Sequence, residues 1–263
     1  MAIPQQQAGP PGVDDGVFGD PVVIERSGRP EDGECRHLLV WRAGPGWRML
    51  SSAVLGGGLG EREWLVNAQV RAGYGRTDPD RHLAELAEDL GLRGPGVGLM
   101  TAARVDAFTW ARDHGVTAVV TTGVGVPTWA SAPADGAAPG DALVPGTINI
   151  VVAVPVALSD AAAVNLVATV TEAKVQALLE AGYDCSGTPS DAVCVAVRRT
   201  GPGREAEPFG GPRSRWGSRA ARAVHAAVVL GAERDRAGRV RGPVPGHLRS
   251  TPGCGRTFVL SDE

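Results

Sequence analysis

Apolar positions along the chain fall into short runs with two periods, and these runs predict the elements. "HLLVWR" (37–42), "WLVNAQV" (64–70), "GVGLMTA" and "SDAVCVAVRR" (190–199) are brief, β-branched and bounded by turn residues, so each reads as a strand. "RMLSSAVLGGGLG" (48–60) reads as a strand that ends in a glycine-rich turn. "TINIVVAVPVAL" (147–158) is a strongly apolar strand in which Thr147 and Asn149 alternate onto one face. Helical spacing shows in three places. Asp78-Pro79 opens "DPDRHLAELAEDLGL", with Gly91 as its stop. Ser159-Asp160 caps a long helix from about Asp160 to Glu180, with Gly182 just past its end. "SRAARAVHAAVVLG" is the last helix. "VDAFTWARDHGVTAVVTTG" fits a helix capped by Asp106, but Asp113-His114-Gly115 between two β-prone runs favours a hairpin. Strands mostly follow strands. The expected class is therefore α+β, a mixed, largely antiparallel sheet packed against a few helices in a single domain, rather than a doubly wound fold.

Composition divides the 263 residues further. Residues 1–35 are rich in Pro, Gly and Gln and read as a mobile N-terminal segment. Residues 36–232 carry the periodic elements, and 233–263 read as an Arg/Gly/Pro-rich tail. Ala130 to Gly146 is a long loop of small residues, a kind often functional inside a domain. The net charge of −3 speaks against a phosphate-backbone binder, so no nucleic-acid partner is expected. The N-terminus lacks the basic and apolar regions of a signal peptide, and the most apolar run, Ile148 to Leu158, is too short to span a bilayer. A cytoplasmic protein with no membrane partner is the expectation. The four cysteines have no C-x-x-C pairing and read as free thiols, and no residue spacing suggests a bound metal. A homo-oligomer is allowed but not required.

The chemistry-bearing residues stand out against a bias toward Ala, Gly, Arg, Pro and Val. Lys174 is the only lysine, and Asn67, Asn149 and Asn165 are the only asparagines. GC-rich coding erodes Lys and Asn, so these four positions merit attention. On the long helix Asn165, Thr169 and Glu172 share a face, and Thr171 and Lys174 occupy an adjoining line. Glu172 and Lys174 are two apart and point to different sides, so each needs another partner. Opposed charges in a partly dry cleft suit acid–base chemistry, although a structural contact or a solvated face explains the stripe as well. "SGTPSDAV" (186–193) offers Ser186, Thr188, Ser190 and Asp191 to an anion or a polar substrate, or is an ordinary turn capped by Asp191. Gly56 to Gly58 match neither a Walker loop nor a dinucleotide fingerprint.

The segments "RMLSSAVLGGGLG", "WLVNAQV", "GLMTAARV", "TTGVG", "PGTINIVVAVPVALSDAAAVNLVATVTEAKVQAL", "SGTPSDAVCVA" and "FGGPRSRWGSRAARAV" resemble, in order, the adenosylcobinamide amidohydrolase family over roughly residues 38 to 230. The resemblance implies a cobalamin-salvage enzyme. It would hydrolyse the aminopropanol amide of adenosylcobinamide, or of a related cobamide, to adenosylcobyric acid. No cofactor is implied, since the cobalt belongs to the corrinoid substrate. The family's Thr-Gly-Thr-x-Thr-Asp loop stands here as Ser186-Gly187-Thr188-Pro189-Ser190-Asp191, and its Asn after the Thr-x-Gly-Val strand is replaced within "GVPTWASAP". These departures bear on which corrinoid is preferred.

Amide hydrolysis needs a nucleophile, charge stabilisation at the tetrahedral oxygen and a proton for the leaving amine. On this reading Glu172 or Asp191 activates water or a hydroxyl, Lys174 stabilises the oxyanion or tunes the carboxylate, and Asn149 donates a hydrogen bond. Ser51, Ser52, Asn67, Thr147, Asn165, Thr188 and Ser190 are the expected substrate-binding residues. Spacing alone does not choose between water and a Thr or Ser as nucleophile. A non-catalytic corrinoid binder and an amidase for another small substrate are the alternatives.

Overall fold

The computed structural model describes residues 22–31, 34–133, 146–201 and 203–240, and the backbone of 256–259. Eleven strands and three α-helices are described, in the order β1 (Val23–Glu31), β2 (Glu34–Trp41), β3 (Trp47–Ser51), β4 (Gly58–Glu61), β5 (Trp64–Gln69), α1 (Pro79–Asp89), β6 (Gly96–Thr101), β7 (Thr109–Asp113), β8 (Val116–Val124), β9 (Gly146–Val154), α2 (Asp160–Glu180), β10 (Ala192–Arg198), α3 (Arg215–Val240) and β11 (Arg256–Val259). The α+β class holds, but the strands divide between two sheets. The first runs β11-β1-β2-β5-β6 and the second β4-β3-β10-β9-β8-β7. Pairing is antiparallel except for β5–β6 and β9–β10.

Three apolar layers follow from strand alternation. In β9, Ile148, Ile150, Val152 and Val154 face α2 and α3, where they meet Leu166, Val170, Leu178, Trp216 and Val224. The alternate residues Val151 and Ala153 face the first sheet, packing with Leu39, Trp41, Leu65 and Leu99. On the far side of the first sheet, Leu38, Val40 and Val66 receive Leu83 and Leu86 of α1. The order is thus α1, first sheet, second sheet, then α2 with α3. A strand sandwiched on both faces reads as a continuous apolar run, and so β9 has no polar side except near its start.

Caps set the helix boundaries. The Ser159 hydroxyl accepts from the Ala162 N–H at 3.1 Å, and Gly182 at φ +80° ends α2. The Asp113-His114-Gly115 segment is a hairpin turn, with His114 at φ 42° and Gly115 at φ 86°.

Two boundaries drawn from composition are corrected. Residues 23–31 are not a loose segment but β1, in register with β2 from Glu25↔Val40 to Glu31↔Glu34. Gly28 and Pro30, which suggested a break, lie beyond the Val23–Arg26 stretch paired with β11, and among the described residues β1 is an edge there, where Pro is tolerated. The tail beginning at 233 is likewise structured at first, because α3 continues to Val240. Of the long loop at 130–146, residues 134–145 lie outside the described residues.

Candidate active site

The starts of β9 and β10 lie side by side in parallel, Ala192 opposite Asn149. The turn before β10 therefore hangs over the first residues of β9. Asp191 uses this placement fully. Its Oδ1 accepts from the Ile148 N–H at 2.9 Å and from the Thr188 hydroxyl. Its Oδ2 accepts from the Thr188 N–H at 3.2 Å and from Lys174 Nζ at 2.6 Å. Four donors fill the sites of one carboxylate. The ion pair is nearly dry, with side-chain exposures of 9% for Lys174 and 12% for Asp191. Gly187 covers it closely. A Cβ there would lie 2.2 Å from Asp191 Oδ2 and 2.5 Å from Lys174 Nζ.

Beside this pair sits a hydroxyl couple. Thr147 Oγ1 and Ser190 Oγ are 2.7 Å apart, and the Ser190 hydroxyl also donates to the Gly146 carbonyl at 3.1 Å. Thr147 is buried while Ser190 is exposed, so the couple spans the protein surface.

Deeper in, a polar chain crosses between the sheets. Asn149 Nδ2 donates to Asn67 Oδ1 at 2.9 Å and to the Met100 carbonyl at 3.1 Å. Asn67 Nδ2 donates to Thr121 Oγ1 at 2.9 Å. Asn149 Oδ1 is buried and accepts no hydrogen bond from the described residues. A buried carbonyl oxygen left without a donor is costly, so a ligand N–H or a water is wanted there.

The structure thus gathers Lys174, Asp191, Thr188, Ser190, Thr147, Asn149 and Asn67 at one end of the sandwich. Ser51 and Ser52 stand at its rim. The Ser51 hydroxyl donates to the Val193 carbonyl and the Ser52 hydroxyl accepts from the Val193 N–H, pinning β3 to the start of β10. Two expected residues are not brought in. Glu172 is exposed, in the groove between α2 and α3 lined by Gln176, Arg222 and His225. Asn165 is exposed against Gly211, and Thr169 on the same stripe donates to the Gly210 carbonyl at 3.0 Å. Thr169 thus ties the stripe to the loop before α3, away from Asp191.

Other candidates are used structurally. The triple-glycine turn is filled by protein, since the Gly56 carbonyl accepts two bonds from Arg62 and a Cβ on Gly56 would meet the Gly96 carbonyl oxygen at 1.9 Å. Two buried cysteines flank the cluster, which sequence spacing did not single out. Burial pushes the Cys185 thiol up, against weaker opposing hydrogen bonds from backbone at Gly187 and Thr128. Burial pushes Cys194 up to about 12, against a weaker opposing bond with Ser51. Neither is an activated thiolate. Among the described residues no group of three or more His, Cys, Asp or Glu could hold a metal ion.

Comparison with known proteins gives the family. The family model described as adenosylcobinamide amidohydrolase matches residues 23–239. An adenosylcobinamide amidohydrolase from Methanosarcina mazei is 31% identical over 188 residues, covering 69% of this chain and 88% of that protein. One from Halobacterium salinarum is 45% identical over 83 residues, 31% of this chain and 34% of that protein. Two solved structures resemble the fold more distantly, each at 13% identity. The PH0078 protein of Pyrococcus horikoshii OT3 has a TM-score of 0.44 over 84% of this chain and 89% of its own. The L-aminopeptidase D-Ala-esterase/amidase of Ochrobactrum anthropi has a TM-score of 0.41 over 81% and 84%. The match over 23–239 contains every residue of the cluster. The chain belongs to the adenosylcobinamide amidohydrolase family, a family of hydrolases that act on amide bonds.

Proposed function

We propose that the protein hydrolyses the amide joining the aminopropanol arm to the corrin ring of adenosylcobinamide, giving adenosylcobyric acid and 1-amino-2-propanol in cytoplasmic corrinoid salvage. The observation that carries this reading is that the amide-suited cluster from Asn67 to Asp191 falls wholly inside the family segment. Cobalt enters as part of the substrate, and no cofactor of the protein's own is invoked.

The cluster supports a division of labour. Asn67 and Asn149 offer amide groups complementary to the primary amides that fringe a corrin. The Oδ1 of Asn149, with no donor among the described residues, suits a substrate N–H. Lys174 neutralises Asp191, and together they fix the 186–191 turn. That turn holds Ser190 against Thr147, so one hydroxyl is buried and ready while the other faces solvent. Asp191 has its acceptor sites occupied and acts as an organiser rather than a free base. The part assigned to Glu172 does not fit its exposed place on α2.

Purified protein incubated with adenosylcobinamide tests the reading by mass spectrometry. The expected products are adenosylcobyric acid and free aminopropanol. Tight binding without release of the amine would make the protein a corrinoid binder, and turnover of other amides alone would make it a different amidase.

A further inference from the structure

Among the described residues, the cluster holds a hydroxyl in position but no free base beside it. Thr147 Oγ1 makes its side-chain hydrogen bond with Ser190. The four donors on Asp191 occupy its oxygens, and Lys174 Nζ is engaged as one of them. The nearby Cys185 thiol is kept protonated by burial. His82 pairs with Tyr74 and His225 with Glu180, both away from the cluster. A threonine hydroxyl is a weak nucleophile unless a base sits beside it, and one arrangement that supplies one is the residue's own free α-amine.

The peptide bond in front of Thr147 is set up to release that amine. Ser190 touches both reacting partners, since its hydroxyl donates to the Gly146 carbonyl oxygen at 3.1 Å and lies 2.7 Å from Thr147 Oγ1. A donor on the carbonyl oxygen stabilises the charge that develops there on attack. Attack of a threonine Oγ on the preceding carbonyl carbon closes a five-membered ring, so proximity is built in. Gly146 leaves that carbon unhindered where Val126 closes in, a Cβ lying 3.1 Å from the Val126 nitrogen. On the far side of Thr147, the Ile148 N–H is held by Asp191 Oδ1, which fixes the start of β9 during any rearrangement.

We propose that the chain cuts itself between Gly146 and Thr147, and that the new N-terminal threonine is the nucleophile for the substrate amide. Thr147 Oγ adds to the Gly146 carbonyl and the C–N bond breaks, giving an ester while the amine takes a proton. Water then hydrolyses the ester, leaving a carboxylate on Gly146, the free Thr147 hydroxyl and its α-amine. In turnover that amine accepts the hydroxyl proton as Oγ attacks the substrate carbonyl, and returns it to the departing aminopropanol. Water clears the acyl-threonine. Free α-amines have a pKa of about 7.7–8.0 and are partly neutral at physiological pH. The proposal deepens the amidohydrolase reading by supplying its nucleophile, and the cut is read without substrate.

The full chain, purified and held at neutral pH, is followed by intact mass and N-terminal sequencing. The 27.1 kDa chain is expected to give two associated pieces, the second beginning Thr-Ile-Asn-Ile. Thr147→Ser should still cut, Thr147→Ala should stay whole with an unchanged circular dichroism spectrum, and Ser190→Ala should cut at least about tenfold more slowly. A wild-type chain that stays whole overturns the proposal, as does cutting at the same bond in Thr147→Ala, which would reveal a host protease. If a whole chain still releases aminopropanol, self-cleavage fails and the amidohydrolase reading stands. If a cut chain leaves adenosylcobinamide intact, the substrate reading fails and self-cleavage stands.

Discussion

At the scale of single residues, Lys174 shows what an odd residue can reveal. Its rarity and its place on an apolar helix mark it without any structure. Its partner is not visible in that way, because Asp191 is 17 positions further on and is brought back by a turn whose close packing depends on Gly187. Glu172 shows the opposite failure. Its spacing with Asn165 and Thr169 is real, but the face they share meets the loop at Gly210 and Gly211, which no periodicity in α2 specifies. The ammonium is enclosed by Asp191 and Gly187, so the broad planar guanidinium of arginine has no room. Lys174→Arg should stay folded but displace the 186–191 turn and lose at least about tenfold in kcat/KM, roughly 1.4 kcal/mol of transition-state stabilisation. Lys174→Met leaves a buried carboxylate without its cation, and should lower unfolding free energy in urea by about 3–5 kcal/mol. Normal turnover in Lys174→Arg would reduce the lysine to an accident of coding.

At the scale of elements, those with strong periodicity were legible and those sustained by neighbours were not. α2 carries its own cap, its own stop and a continuous buried face, so its ends follow from local chemistry. β1 carries Gly28 and Pro30 and depends on β2 for its pairing, which no local pattern states. α1 adds a titratable attachment. His82 is buried in it, stacked on Tyr74, with the Tyr74 hydroxyl 2.9 Å from His82 Nδ1. Burial holds the Tyr74 phenol above its usual range, so it remains a donor, and Nδ1 of a neutral imidazole is the fitting acceptor. Burial is the main cause that lowers the His82 pKa, helped by Arg76 and Arg29 and opposed by Glu31 and Glu85. A lowered folded-state value means that the unfolded chain takes the proton first. The contribution of His82 is therefore present above the unfolded value of about 6.5, and is lost as pH falls through it toward the folded value. The urea midpoint should drop between pH 7.5 and 5.5 by more in wild type than in His82→Phe. Equal drops would remove His82 from the acid response.

At the scale of the whole molecule, the α+β class could be read from the order of strands and helices, but the division into two sheets could not. Strand order depends on pairings such as β10 between β3 and β9, which join distant parts of the chain. The same division explains why the role of the asparagines was legible only as a suspicion. Asn67 lies in the first sheet and Asn149 in the second, and their bond is a polar tie across an apolar interface. Thr121 and the Met100 carbonyl extend the tie to β8 and to the end of β6. Removing either asparagine strands buried polar groups, so Asn67→Ala and Asn149→Ala should each cost about 1–3 kcal/mol in unfolding free energy. Removing both strands fewer partners than the two losses together imply. The double variant should therefore be more stable than additivity predicts, by about 0.5–3 kcal/mol. Amide hydrogen exchange should show β5 and β9 losing protection together in each single variant, because the tie couples the two sheets. Additive costs with exchange confined to the mutated strand would mean that the sheets are held by apolar packing alone. The asparagines would then owe their presence to the substrate, whose N–H the buried Asn149 Oδ1, without a donor among the described residues, is placed to accept.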